Sequence, residues 1–399
     1  MSAIILDGQL KSALASVRSL GRAGVIISVG AERPTAMSLH SRYTTNTFTY
    51  PSPYTQQEAF ITRVREEAIR MGGKPVVYAF SDATFLSLYL HREDLSEYMT
   101  LVFPEEKAME IAFDKAATYS LARISGIPTI TTFAPEMAHE VAQMGETFAY
   151  PVVIKPRRSV TWKDGAGVFG TASFIQNKED LIRTFSELKK TLGEAPLIQT
   201  LVHGEEYGVE MLADKGVVYA CVTHHRIRSL SPTGGASVLK ETLHAGDLKN
   251  TLEAYAKTLV TKLSWTGPIM VEYKVDSDSR EPKLMEINGR FWGSLPLSVS
   301  AGLDIPYLYY RYAQGEKLSQ TLETAREGVS SIHFLGDVKH LLRVLFANDP
   351  MRKLLYPPRL KALRDFCILP RGVMYDVWSF HDPKPALMEI VDILKKIWD

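Results

Sequence analysis

Cysteine is almost absent from this 399-residue chain; Cys221 and Cys367 stand alone and far apart. Two such thiols make neither a disulfide framework nor a metal knuckle. No apolar run approaches the ~18–20 residues that a membrane span needs. The start, Met1-Ser2-Ala3-Ile4, lacks the basic region and cleavage site of a signal peptide. The expectation is a cytoplasmic protein with no membrane span. An excess of one charge is missing as well: 46 Lys plus Arg against 45 Asp plus Glu leave a formal net charge of +1. That balance excludes a general nucleic-acid binder, which needs a cationic surplus for phosphates. Three common fingerprints are also missing. The first turn, Asp7-Gly8-Gln9, is no Gly-x-Gly-x-x-Gly dinucleotide loop. Neither the Gly-x-x-x-x-Gly-Lys-Ser/Thr phosphate loop nor a Gly-x-Ser-x-Gly nucleophile elbow occurs.

What is present is ordinary globular material, 45% hydrophobic and 23% charged, enough for two or three domains. Apolar runs at Ala3–Leu6, Val25–Val29 and Val76–Phe80 read as strands, and Leu10–Leu20 as a helix stopped by Gly21. Strands separated by helices predict a parallel sheet with right-handed crossovers. Asp82, just past the third strand, sits where open parallel sheets bind ligands, and also where a helix N-cap would stand.

From about Ile111 the pattern becomes α+β. A helix over Ile111–Ser125 precedes Gly126-Ile127-Pro128, and a strand in Tyr150–Pro156 ends at Lys155. A glycine-bearing stretch, Lys163–Gly170, precedes the strand Thr171–Ile175 and the amphipathic helix Asn177–Thr191. Strands follow at Leu197–Leu201, Tyr207–Leu212 and Val217–Thr223, and Pro268–Val275 with Lys283–Ile287 reads as a hairpin. Ser231–Ser237 reads as a flexible loop. Beyond 330 the chain is mainly helical with several prolines, and its basic residues between Lys339 and Arg371 read as a solvated face.

Side chains alternate along a strand, so Glu286 and Asn288 share a face, and Glu272 joins them if the neighbouring strand is in register. Two carboxylates and an amide oxygen form a hard-oxygen set suited to Mg²⁺ held partly by phosphates. Arg290, two residues further on, would lie beside those phosphates. The plainer reading is a surface hairpin with a salt bridge. Lys115 and Lys155 supply point charges of the kind that phosphates attract. Arg226 and Arg228, also two apart, can clamp a carboxylate; the alternative is a solvated pair. His224 and His225 lack metal-ligand spacing and read as packing or loop residues.

Taken in order, these motifs resemble the ATP-grasp superfamily over roughly 111–312. The resemblance rests on Lys115 with Gly126-Ile127-Pro128, the Val-Ile-Lys-Pro strand at Lys155 and the glycine-rich stretch. It continues through Gln199-Thr200-Leu201-Val202 and Gly-Glu-Glu-Tyr at 204–207, and ends at Glu-Ile-Asn-Gly-Arg at 286–290. Arg226-x-Arg228, Gly235 and Arg290–Pro296 are similar to a carboligase-like group that includes the ATP-grasp domains of the carbamoyl phosphate synthase large chain. The resemblance implies a Rossmann-like pre-ATP-grasp α/β domain over 1–110. A two-subdomain ATP-grasp fold over 111–330 follows, with a lid subdomain at about 111–195 and a metal and nucleotide subdomain at about 196–330. A helical extension over 331–399 completes the chain.

It also implies roles. Lys115 and Lys155 would contact ATP phosphates beneath a lid carrying Gly165 and Gly167. Gln199, Leu201 and Val202 would border the adenine, and Glu206 would take the ribose. Glu272, Glu286 and Asn288 would hold one or two Mg²⁺ ions, for which Mn²⁺ can substitute. Arg290, with Lys155, would stabilise the transferred phosphoryl group, and Arg226, Arg228, Gly235 and Asp82 would face the substrates. The implied activity is a carboxylate–amine ligase working through an acyl phosphate on small-molecule partners, with a homodimer suited to the charge balance. Two alternatives stay open: an ATP-grasp phosphotransferase acting on a hydroxyl, and a nucleotide-binding module without catalysis. No general base is identifiable.

Overall fold

A computed structural model describes residues 1–163, 166–232, 234–319, 321–348 and 351–398. The N-terminal apolar runs form β1 (Ser2–Ile5), β2 (Ile26–Ala31) and β4 (Val76–Tyr78), with β3 (Asn46–Thr49) at the edge. They pair in parallel in the order β3-β2-β1-β4. The polar sequence of β3 hides it, because only Phe48 of its four side chains is buried. The first helix, Lys11–Arg22, runs through Gly21 instead of stopping there. Asp7, buried after β1, accepts hydrogen bonds from the Phe80 and Ser81 amides at 2.8 and 2.9 Å and from Thr84 Oγ1 at 2.8 Å. These bonds fix the start of the helix Asp82–Leu90, whose N-cap is Ser81 and not Asp82.

The expected helix over Ile111–Ser125 is two helices, Glu106–Ala112 and Lys115–Ile124. Asp114 makes the break: its Oδ1 accepts from the Ala116 amide at 2.9 Å, capping the second helix, and its carboxylate binds Arg157 at 2.8 Å. A small antiparallel sheet follows, built from β5 (Thr132–Phe133), β6 (Val152–Lys155), β9 (Ser173–Ile175) and β10 (Leu197–Thr200) in the order β5-β10-β6-β9. Between β6 and β9, β7 (Thr161–Lys163) pairs with β8 (Ala166–Val168), so the glycine-bearing stretch begins as a hairpin. Since β10 belongs to this sheet, the small subdomain extends past the expected boundary at 195. The helix Lys178–Leu192, capped by Asn177, seats Leu181 and Phe185 on Val152 and Ile154.

The large sheet carries β11 (Gly204–Asp214), β12 (Val217–Ser231), β13 (Gly234–Thr242), β14 (Gly267–Asp276), β15 (Pro282–Asn288), β17 (Ser330–Ile332) and β18 (Met374–Tyr375). Their order is β15-β14-β11-β12-β13-β17-β18, with β16 (Glu323–Thr324) beside β12. One face, with Tyr207, Val209, Met211, Val271, Tyr273 and Ile287, joins the largest apolar core. Two sequence expectations change here. His224–Arg228 lie inside β12, and Gly234–Ser237 open β13 instead of forming a loop.

The C-terminal extension is not purely helical, since β17 and β18 continue the large sheet. It is tied to the first helix by ion pairs. Asp376 receives Lys11 at 2.9 Å and also Lys240, and Asp382 receives Arg18 at 2.9 Å. Of its basic residues, Arg343 bonds the Leu230 carbonyl, Arg352 that of Val344 and Arg359 that of Leu345, while Lys361 and Arg364 pair with Asp365. Among the described residues no helix is long and apolar enough to cross a membrane.

Candidate active site

The polar face of the large sheet is set by register. Glu272 on β14 lies opposite Glu286 on β15, and Met270 lies opposite Asn288. On the other side of β14, Lys274 faces Glu206 of β11, which in turn faces Arg226 of β12. Period-two alternation therefore puts Glu206, Arg226, Glu272, Glu286 and Asn288 on one surface, opposite the apolar core. Gly289 is forced by packing, because a Cβ there would lie 2.4 Å from Trp265 Cη2.

Above this face, the small sheet closes a cleft of about 480 Å³. Ile130, Val153, Phe174, Leu201 and Met285 give it an apolar slot, and Lys155, Glu272, Glu286, Asn288 and Arg290 line it together with Arg226, Gly235, Ser237, Gly293 and Ser294. An apolar slot with few convergent polar groups is what a planar ligand with a charged tail requires.

Cations surround the paired carboxylates. Lys115 Nζ stands 3.6 Å from Glu286, and Lys155 Nζ donates to Tyr119 OH at 2.8 Å. Burial lowers the Lys155 amine to about 8, although Glu286 and Glu272 pull the other way. Burial also opposes ionisation of Glu286, yet Lys115, Lys155 and Arg290 outweigh it and hold the carboxyl below its ordinary value. Glu272 moves upward because burial dominates over its Arg226 partner. Asn288 Nδ2 donates to Glu272 at 3.1 Å and Glu286 at 3.5 Å. Among the described residues no trio of His, Cys, Asp or Glu converges as a metal cage. Two adjacent carboxylates and an amide fit instead a hard cation that keeps water and phosphate ligands.

Arg290 Nε donates to Asp82 Oδ1 at 2.6 Å, and its Nη2 to Asn288 Oδ1 at 3.2 Å. Asp82 thus carries the N-terminal domain into the site. Tyr54 of that domain receives the hairpin: its carbonyl accepts from the Gly167 amide at 2.6 Å and its ring meets Phe169 at 4.8 Å. Gly165 lies outside the described residues.

The paired arginines separate. Arg226 bridges Glu206 and Glu272, each at 2.9 Å. Arg228 is a correction: it lies away from the cleft and grips the chain's own Asp337 with Nε and Nη2, both at 2.7 Å. Register shifts between Arg226 and Arg228 break the shared face that simple alternation requires. Gln199 lines the slot and donates to Thr132 Oγ1 at 2.7 Å; Leu201 and Val202 also line it. Sequence reading missed Tyr119, which orients Lys155, and Glu210, a buried carboxyl beneath the cleft that accepts from Ser294 Oγ at 2.5 Å. The signal for Glu210 is a lone acid within the apolar run Tyr207–Leu212.

Residues 194–333 match the family described as ATP-grasp in the biosynthetic pathway with Ter operon. The arginine-specific large chain of carbamoyl phosphate synthase from Cutaneotrichosporon cutaneum is 22% identical over 218 residues, 54% of this chain. The match spans only 18% of that relative's length. Among solved structures, the biotin carboxylase domain of Hydrogenobacter thermophilus 2-oxoglutarate carboxylase superposes with a TM-score of 0.65 at 16% identity, covering 82% of this chain and 73% of that one. It was solved as a dimer with ADP, its magnesium salt and bicarbonate. N5-carboxyaminoimidazole synthetase from Staphylococcus aureus gives 0.61 at 15% identity, covering 88% and 86%. L-amino acid ligase from Bacillus licheniformis gives 0.56 at 17%, covering 78% and 73%. Architecture and motifs agree, and the chain carries an ATP-grasp domain.

Proposed function

We propose that this chain is an ATP- and Mg²⁺-dependent ligase that joins a small-molecule carboxylate to an amine through an acyl phosphate, releasing ADP and phosphate. The observation that carries this reading is the ring of Lys115, Lys155 and Arg290 around Glu286, with Glu272 and Asn288 alongside. The same cleft carries apolar lining against which a nucleobase can pack, and the N-terminal domain reaches it through Asp82 on Arg290.

Carboxylates resist amines because the leaving group would be oxide. Transfer of the γ-phosphoryl group supplies a better one, and positive charge must meet the charge that develops. In this reading Lys115 and Lys155 hold the phosphates, and Arg290, steadied by Asp82, stabilises the moving phosphoryl group. Glu206 receives the ribose, while Arg226 and Gly235 border the acid substrate. Glu272, Glu286 and Asn288 would hold Mg²⁺, which when bound neutralises and polarises phosphoryl oxygens. The hairpin at Tyr54 shields the reactive carbonyl from water. The homodimer remains part of the proposal, checked by light scattering.

The test measures ADP and phosphate release from Mg²⁺-ATP across amino, hydroxy, keto and dicarboxylic acids and bicarbonate, with hydroxylamine as a trap. Acid-dependent phosphate release with hydroxamate formation is the expected result. ADP without free phosphate would establish the phosphotransferase alternative, and silence across the panel would overturn both.

A further inference from the structure

An amine that attacks an acyl phosphate must lose a proton, and none of the residues given roles above accepts one. Beneath the cleft lies a pair of titratable groups that those roles do not use. Glu210 of β11 and His224 of β12 are both fully buried on the polar face of the large sheet. His224 Nδ1 lies 3.2 Å from Glu210 Oε1. The imidazole occupies the space over Gly208, where a Cβ would lie 2.4 Å from its Cε1. Glu210 Oε2 and both ring nitrogens of His224 have no hydrogen-bond partner among the described residues. Burying unpartnered polar atoms is unfavourable, and an apolar side chain in the strand would avoid that cost.

The connection of this pair to the cleft is the Ser294 hydroxyl. Ser294 lines the cleft four residues after Arg290, and its Oγ donates to Glu210 Oε1 at 2.5 Å. Arg226, two residues along β12 from His224, lines the same cleft. A group bound between Arg290 and Arg226 therefore has one hydroxyl beside it that is already hydrogen-bonded to a buried carboxyl.

We propose that Ser294 and Glu210 form the proton exit for the attacking amine, with the His224 ring packed against the Glu210 carboxyl. This rests on the ligase reading. As the amine nitrogen forms its bond to the acyl carbon, the carbon–oxygen bond to phosphate breaks and phosphate leaves with the electron pair. Before that attack the surplus proton of the ammonium form passes to Ser294 Oγ while the Ser294 hydroxyl proton passes to the Glu210 carboxylate at Oε1, leaving a neutral carboxylic acid. The proton shed as the new bond forms departs with the phosphate. Ser294 is the catalytic residue of the pair; Glu210 acts through it, and His224 is a positioning residue.

The test compares wild type with Glu210→Gln, Ser294→Ala and Ser294→Thr, using the panel acid that gives hydroxamate. The amine is the fastest of ammonium, methylamine and the common L-amino acids. Hydroxylamine is largely unprotonated at neutral pH and needs no proton exit before attack. The ratio of amide to hydroxamate should fall about a hundredfold in Glu210→Gln and Ser294→Ala, the size of a lost acid–base contribution, and recover in Ser294→Thr. An unchanged ratio, whether both products fall together or neither does, would overturn the proposal. Wild type that forms hydroxamate but no amide with any of these amines would overturn it while leaving the acyl phosphate standing. Wild type that forms no hydroxamate would overturn the parent reading and this one with it.

Discussion

Two parts of the cleft are built differently. One part, the carboxylate row, comes from two adjacent strands, where Glu272 faces Glu286 beside a register shift at Tyr273 and Asn288 follows Glu286 two residues later. The part around Ser294 is assembled from distant segments: Gly293 and Ser294 after β15, Arg226 from β12 and Gly235 from β13, with Asp82 of the N-terminal domain reaching in through Arg290. The first depends on alternation within a hairpin, whereas the second depends on how domains meet. Chemistry that a fold family shares can rest on the first, and substrate choice has room to vary in the second.

Four perturbations would break or sharpen this contrast. The largest effect is expected in the carboxylate row, where Glu286→Ala should lower kcat by about a thousandfold by removing the central carboxylate of the cation ring. A loss under tenfold in steady-state kinetics would show that the row does not hold the metal. Next is Asp337→Ala, which leaves the largely buried Arg228 side chain with only the Asp365 carbonyl. Stability in denaturant unfolding should fall by about 3 kcal/mol, with little change in KM. A large KM change without destabilisation would return Arg228 to the cleft. Asp82→Asn should lower kcat by about thirtyfold while ATP affinity stays within about threefold, because Arg290 loses its anchor but the phosphate lysines do not. The smallest effect concerns pH. Lys155, lowered to about 8, is charged below that value and loses its hold on phosphate as pH rises through it. The Kd for ATP, measured calorimetrically, should rise by up to about tenfold per pH unit above 8, and Lys155→Arg should flatten the rise.

The same contrast explains what could be read from the sequence. The Glu272, Glu286, Asn288 and Arg290 cluster was legible because a strand's period of two is a property of the backbone, and the hairpin turn between Asp276 and Pro282 is marked by polar residues. Arg228 was misplaced because nothing in His-His-Arg-Ile-Arg signals the register shifts of β12. The break at Asp114 was missed although aspartate is a good cap, since apolar residues on both sides kept helical spacing. Asp82 was placed at the end of the parallel sheet by topology, but its bond to Arg290, 208 positions away, could come only from domain packing. Glu210 escaped notice because it belongs to no motif. Its meaning depends on Ser294, which joins it only once the sheet is formed.

The ion pairs that tie the first helix to the end of the chain have a consequence for synthesis. Arg18 meets Asp382 across 364 positions, and Lys11 meets Asp376 across 365. At a ribosomal pace of about 5–20 residues per second, the cations of that helix wait on the order of 20–70 s for their partners. During that interval the N-terminal sheet can form from local pairings, but Lys11 and Arg18 must stay hydrated and the surface that receives 370–390 stays open. The chain is therefore expected to lock its N-terminal domain last rather than first, and a nascent protein stalled before residue 376 should be cut readily by protease near its first helix.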